Sequence, residues 1–200
     1  NTTKGESWYF TVRPSDGLDL GALVTSSPVT IVNTAPTATS VTLTPLSPRT
    51  TDALNAAYTY ADADADLEQG SELRWYKDDV EQAAYFNLRT VPAGVPRAGE
   101  TWRFSIRPRD GIAFGTLVNS TNVVVGSSLP VATALGITPQ QPLSTDALTA
   151  SYLYNDPDGT PESGSELRWL RNGVEVVALF GLRTVPPGTT SKGETWAFSV

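Results

Sequence analysis

The sequence predicts an all-β chain of antiparallel two-sheet sandwiches written in tandem, and three observations carry that expectation. All five tryptophans fall at one of two positions in a repeat of 94 residues. Gly5-Glu6-Ser7-Trp8 recurs as Gly99-Glu100-Thr101-Trp102 and Gly193-Glu194-Thr195-Trp196, and Ser71-Glu72-Leu73-Arg74-Trp75 recurs as Ser165-Glu166-Leu167-Arg168-Trp169. Apolar residues alternate with polar ones over short runs broken by Gly, Pro, Asp and Asn, the period of a strand with one wet face. No stretch of useful length carries a helical period.

Each strand can be read in turn. Trp102, Phe104 and Ile106 point one way and Arg103, Ser105 and Arg107 the other, and Pro108 ends the run. Trp8, Phe10 and Val12 repeat this pattern, as do Trp196, Phe198 and Val200. Upstream, Leu54, Ala56, Tyr58 and Tyr60 form a strand that runs into an acidic loop, and Leu73 with Trp75 mark the next. Asn172-Gly173 after Trp169-Leu170-Arg171 is a type I′ hairpin signal, folding the chain back on Val174 to Val177, and Asp78-Asp79 holds the same place one repeat earlier. Val41 to Thr44, Phe86 to Val91 and Asn122 to Val125 supply further strands, giving about seven per unit. Trp75 and Trp102 lie on alternating strands rather than in loops, so they are expected at the centre of the core. Without cysteine that core rests on packing alone.

The first twelve residues match the last twelve. Taking 33–126 as the complete unit makes 1–32 the tail of an earlier copy and 127–200 the head of a later one. The expectation is a window cut from a longer polypeptide. The alternative is a subunit whose tail completes the head of its neighbour, although the shared strand would then be brought by both partners. The junctions are short, Val32-Asn33-Thr34-Ala35-Pro36 and Gly126-Ser127-Ser128-Leu129-Pro130, and proline in each restricts the swing between copies.

Composition narrows the function. The chain has no Cys, no Met and no His, and a formal charge of −7. These exclude a disulfide framework, a thiolate zinc site, a serine triad of the usual kind and a histidine-ligated metal. The acidic balance argues against nucleic acid and favours cations. No apolar run approaches the roughly 18 residues of a membrane span. A paired-carboxylate hydrolase is poorly supported, because the acidic clusters recur from copy to copy as a structural device would. The reading is therefore not an enzyme, and extracellular. Two sequons, Asn1-Thr2-Thr3 and Asn119-Ser120-Thr121, would accept N-glycans in a secreted protein.

Calcium is argued from one loop. Asp62, Asp64, Asp66 and Glu68 alternate just after a strand, so in extended backbone their carboxylates share a face and repel unless a cation sits among them. The later copy keeps Asp156, Asp158 and Glu162 but has Thr160 in place of the third Asp. Leu67 and Pro161 at the sixth position exclude an EF-hand. In a sandwich the loop of Asp110, or of Asp16 in the first partial copy, lies at the same end. The competing reading is a solvated acidic turn in which Asp is the turn former.

Tyr58 to Asp66 leading to Arg74-Trp75-Tyr76, then Gly99-Glu100-Thr101-Trp102 and Arg107-Pro108-Arg109-Asp110-Gly111, resemble the immunoglobulin-like, PKD-like and cadherin-like tandem repeats of large bacterial and archaeal surface proteins. The chain departs from PKD domains in lacking their Trp-Asp-Phe-Gly-Asp-Gly segment. The resemblance implies tandem immunoglobulin-like sandwiches in a non-enzymatic stalk, adhesin or surface fibre, often stiffened by calcium, whose partners are neighbouring repeats or copies of itself. Two alternatives stay open. One is a module binding surface glycans through Tyr76, Tyr85 and Phe114, the aromatics nearest turns; the other is a self-assembling filament subunit joined through exposed edge strands.

Overall fold

The computed structural model describes residues 2–200 and is β throughout, with two 3₁₀ turns as its helical elements. The sequon at Asn1 lies outside the described residues. The chain forms two compact units, Asn1–Gly126 and Ser127–Val200. Among the described residues no helix is long and apolar enough to cross a membrane.

The first unit opens with four short strands, β1 (Ser7–Trp8), β2 (Thr11–Val12), β3 (Val24–Thr25) and β4 (Val29–Thr30), paired β1 with β4 and β2 with β3. Residues 33–126, one full period of the sequence, follow. One sheet joins β5 (Thr37–Thr44), β6 (Leu54–Ala61) and β9 (Thr90–Val91). The facing sheet has β7 (Glu72–Lys77), β8 (Val80–Glu81), β10 (Thr101–Arg107), β11 (Val118–Asn119) and β12 (Val123–Val124), with β10 at its centre. Leu43, Leu54, Trp75, Val91, Phe104 and Ile106 meet between the sheets, each 0% exposed. The Trp75 and Trp102 rings pack edge to face at 6.4 Å, the arrangement that ring quadrupoles favour. Indole N–H of Trp75 donates to the Leu88 carbonyl at 2.8 Å, so burying it leaves no polar orphan.

The second unit repeats this plan with β13 (Val131–Thr138), β14 (Leu148–Asn155) and β17 (Thr184–Val185) in one sheet. The other holds β15 (Arg168–Arg171), β16 (Val174–Glu175) and β18 (Trp196–Ser199). Trp169 and Trp196 again meet edge to face, at 6.2 Å. Between its sheets lies a groove of about 1110 Å³ lined by Leu135, Ile137, Leu148, Trp196 and Phe198 together with the polar Gln140, Lys192 and Glu194. In the complete repeat Val123 and Val125 pack on the corresponding core.

Several sequence signals acquire a mechanism. In Gly-Glu-x-Trp the glycine takes a positive φ, 88° at Gly5 and Gly99 and 89° at Gly193. The glutamate then closes the turn, Glu100 accepting the Arg97 amide at 2.8 Å and the Trp102 indole at 3.0 Å, and Glu6 and Glu194 do the same. The word thus ties a turn to a core ring. Asn172-Gly173 makes the expected hairpin, with Arg171 opposite Val174. The returning strand is shorter than the expected Val174 to Val177, because a 3₁₀ turn takes over at Val177–Leu179. Likewise only Thr90–Val91 of the expected Phe86 to Val91 strand is extended. There the chain must cross from one sheet to the other, and the Asn87 amide is spent on the Leu73 carbonyl.

Candidate functional site

β6 ends at Ala61 and the chain turns on the Asp62 side chain. Its Oδ1 accepts the amides of Asp64 at 2.8 Å and Asp66 at 3.2 Å, the local bonding that makes aspartate a turn former. This gathers one carboxylate oxygen from each of Asp62, Asp64 and Asp66 within 4.8 Å of one another. The second oxygen of Asp62 is buried and has no hydrogen-bond partner among the described residues. An unpaired buried carboxylate oxygen is costly, so this atom marks a place suited to a donor or cation.

The same loop grips the junction that precedes the repeat. Asp64 Oδ2 accepts the Thr34 amide at 2.6 Å. Asp66 Oδ2 accepts the Lys4 ammonium, which also donates to Asn33 Oδ1 at 3.0 Å. From the other side Asn33 Nδ2 donates to Asp110 Oδ2 at 2.8 Å, while Asp110 Oδ1 accepts the amides of Ile112 and Ala113 at 2.7 and 2.6 Å. Residues 33–34 are therefore held by two loops at once. Gly115 completes the seat, since a Cβ there would fall 1.9 Å from the Pro36 carbonyl oxygen.

Charge follows geometry. The Asn33 amide, then the Ala113 and Ile112 amides, hold the Asp110 carboxyl down at about 2 against the cost of burial. The hydrogen bond to Asp66 raises the Lys4 ammonium, burial opposes this, and the charges of Asp66, Asp64 and Asp110 add to it. Burial, then the neighbouring carboxylates led by Asp62 and Asp110, pushes the Tyr60 phenol up.

In the second unit Asp156 Oδ1 accepts the amides of Asp158 at 2.8 Å and Thr160 at 3.3 Å. Asp158 Oδ2 accepts the Ser128 amide at 2.6 Å and the Ser127 hydroxyl at 2.7 Å. The hold of the second aspartate on the junction is thus common to both copies. The fully formed acidic cluster belongs to the first.

Of the residues picked from the sequence for calcium, Asp62, Asp64 and Asp66 converge. Asp110 reaches them through Asn33. Glu68 is directed elsewhere, accepting the Tyr58 hydroxyl at 2.7 Å, and Glu162 accepts that of Tyr152 and lies near Arg183. Asp156 and Asp158 serve the turn and the junction. Asp16 accepts the amides of Leu18 and Asp19 in its own turn. Lys4 and Asn33 also belong to the site, although they lie far from the loop along the chain. The aromatics proposed for glycans are partly covered, with Arg103 over Tyr76 at 4.0 Å, Arg107 and Arg109 over Phe114 at 4.6 and 4.8 Å, and Tyr85 packed on Trp102.

No protein-family model matches the chain, and no curated protein does. Among solved structures the chain is similar to the FN1-FN3 domains of chicken CNTN1, with 12% identity and a TM-score of 0.34 over 96% of this chain and 65% of that one. The fold stands on the strand topology described above.

Proposed function

We propose that the chain is a run of non-catalytic spacer modules of an extracellular or cell-surface protein, stiffened where each acidic loop seizes the junction before it. The observation that carries this reading is the bond repeated at 2.6 Å in both copies, Asp64 to the Thr34 amide and Asp158 to the Ser128 amide. A device copied at each junction serves position, not reaction. The oxygen-only cluster of Asp62, Asp64 and Asp66, with one buried oxygen of Asp62 unpaired, suits a hard cation such as calcium. Such an ion would bridge the three carboxylates and remove their mutual repulsion. At tenfold excess over an extracellular-type affinity it would add roughly 1.4 kcal/mol.

The test is amide hydrogen exchange of the 200-residue chain beside Asp64→Ala and Asp158→Ala. Thr34 and Ser128 amides should lose protection in their respective variants while the Trp75 and Trp169 cores stay protected. Unchanged exchange at both amides refutes the stiffened junction. For the ion, the thermal midpoint in millimolar calcium should exceed that in chelator.

A second reading is assembly through a neighbour's strands, for which the repeat supplies matching residues. Val24, Val29 and Ile31 repeat Val118, Val123 and Val125, the residues that complete the core of the full repeat. Light scattering that shows a concentration-dependent rise in mass, abolished by Val29→Lys, would establish it.

A further inference from the structure

Lys4 lies on the turn before β1, yet its ammonium sits on the acidic loop 62 residues further along the chain, bonded to Asp66 and Asn33. Both side chains of the Lys4–Asp66 pair are about three-quarters buried, 25% and 26% exposed. Asn33 in turn donates to Asp110, so one ammonium ties the preceding strands to the loop after β6, the junction and the loop after β10.

The repeat supplies an independent observation. One period on from Lys4 stands Ala98, and one period on from Asp66 stands Thr160. Asp62 and Asp64 have no such loss: they persist as Asp156 and Asp158. Lysine and third aspartate are therefore present together at one junction and absent together at the other. A metal site would need Asp66 irrespective of the residue at position 4. A lysine partner makes the two changes go together, since removing either alone strands the other charge.

We propose that Lys4 is a tethered cation that occupies the acidic cluster of the first junction and clamps the preceding strands to the complete repeat, so that a divalent ion enters only when the ammonium leaves. This rests on the junction reading above and adds its regulation. The ammonium takes the oxygens of Asp66 and Asn33 that a calcium ion would need beside those of Asp62 and Asp64. The first junction is then rigid without metal. One period on, the sequence carries Ala98 and Thr160 in place of this pair.

The experiment is a double-mutant cycle in the full 200-residue chain, using Lys4→Ala, Asp66→Thr and both together. Urea unfolding and exchange of the Asn33 and Thr34 amides are read in chelator and in millimolar calcium. Each single variant should speed junction exchange several-fold in chelator, and the double variant should be no worse than either single one. In Lys4→Ala, with the three aspartates intact, the apparent calcium affinity should rise about tenfold or more over the parent chain. Additive effects of the two substitutions overturn the clamp, as does a parent chain that binds calcium as tightly as Lys4→Ala. Coupling between Lys4 and Asp66 with no calcium response in any variant would uphold the clamp and remove calcium from the proposed function, so the two failures are separable. Asp66→Asn keeps the loop's shape and serves as the control for folding.

Discussion

The same strand word occurs in three settings, and its side chains meet three fates. In β10 the residues Trp102, Phe104 and Ile106 are 1%, 0% and 0% exposed. Their counterparts Trp8 in β1, Phe10 in the break after it and Val12 in β2 are 50%, 67% and 49% exposed. In the second unit Trp196 and Phe198 lie between these extremes, packed on Trp169 but bordering the groove. The strand word is shared by the three, so burial is decided by what packs beside and across it: β10 has β7, β11 and β12 beside it and the Trp75 ring against its aromatics, β18 has β15 beside it and the Trp169 ring against its aromatics, and β1 has β4 beside it. Alternation therefore specifies a strand with an apolar face. It does not specify that the face is covered.

The sharpest way to break that comparison is to remove the indoles. Trp102→Ala opens the centre of the complete repeat and should cost about 3–5 kcal/mol, a large share of a marginal domain's stability. Trp8→Ala, in the half-open setting, should stay under about 1 kcal/mol. Circular dichroism across a urea series separates the two, and equal losses would show that the opening strands are as tightly packed as β10. Next comes Gly115→Ala against Gly21→Ala, one period apart. A methyl at Gly115 collides with backbone at 1.9 Å, whereas at Gly21 it meets the flexible ring of Pro14 at 3.0 Å. The first should cost about 1–3 kcal/mol and loosen Pro36, the second a few tenths. The thermal midpoint of each variant checks the ratio.

Fold and site differ in how much of them the sequence displays. Sandwich architecture was legible because period-two alternation at Trp102, Phe104 and Ile106 and the Asn172-Gly173 turn are local signals with one physical meaning. The strand ends were less so: hydrophobic runs such as Phe86 to Val91 are spent on a crossing between sheets, and nothing local says where extension stops. At the site, the spacing of Asp62, Asp64 and Asp66 announced a shared cluster, but a turn closed on Asp62, with Ala65 at a φ of 63°, gathers them and not the extended backbone that the alternation suggested. The spacing could not tell which oxygens the loop's own amides would consume, or that Glu68 and Glu162 would be taken by tyrosine hydroxyls. Lys4 and Asn33 come from outside the loop, and only the paired change to Ala98 and Thr160 could have disclosed the first. Loop residues are brought together by topology, and topology is a property of the sheets and not of the loop.

A gentler probe is pH. Asp110 and Asp16 occupy equivalent turns and each accepts two local amides, but only Asp110 also accepts the Asn33 amide. Its folded value of about 2 lies below the ordinary 3.8. A carboxyl depressed in the folded state stabilises it above the unfolded value and loses that effect as pH falls through the folded one. The junction should hold at pH 5 and loosen as pH drops from about 4 through 2, with carboxyl carbon resonances of Asp110 moving after those of Asp16. Asp110→Asn should flatten this dependence, and a parent chain whose Asn33 amide keeps the same protection, relative to the intrinsic exchange rate at each pH, at pH 2.5 and 5 would dissociate Asp110 from the junction.

The smallest effect belongs to a contact on which the two copies agree. Tyr58 donates to Glu68 under Arg89 at 4.3 Å, and Tyr152 donates to Glu162 under Arg183 at 4.4 Å. Burial, then the bond to Glu68, pushes the Tyr58 phenol up to about 12 from 10.0. A phenol raised in the folded state contributes stability that is complete below pH 10 and lost as pH climbs through 12. Tyr58→Phe should cost at most about 1 kcal/mol near neutrality, because the pair is partly open to solvent. Absorbance of the ionised phenol at alkaline pH should show one late-titrating group in the parent that is missing from the variant. If Tyr58→Phe instead destabilised the chain by as much as Gly115→Ala, the acidic loop would be anchored through Glu68 and not through its hold on the junction, and the order of these effects would have to be reversed.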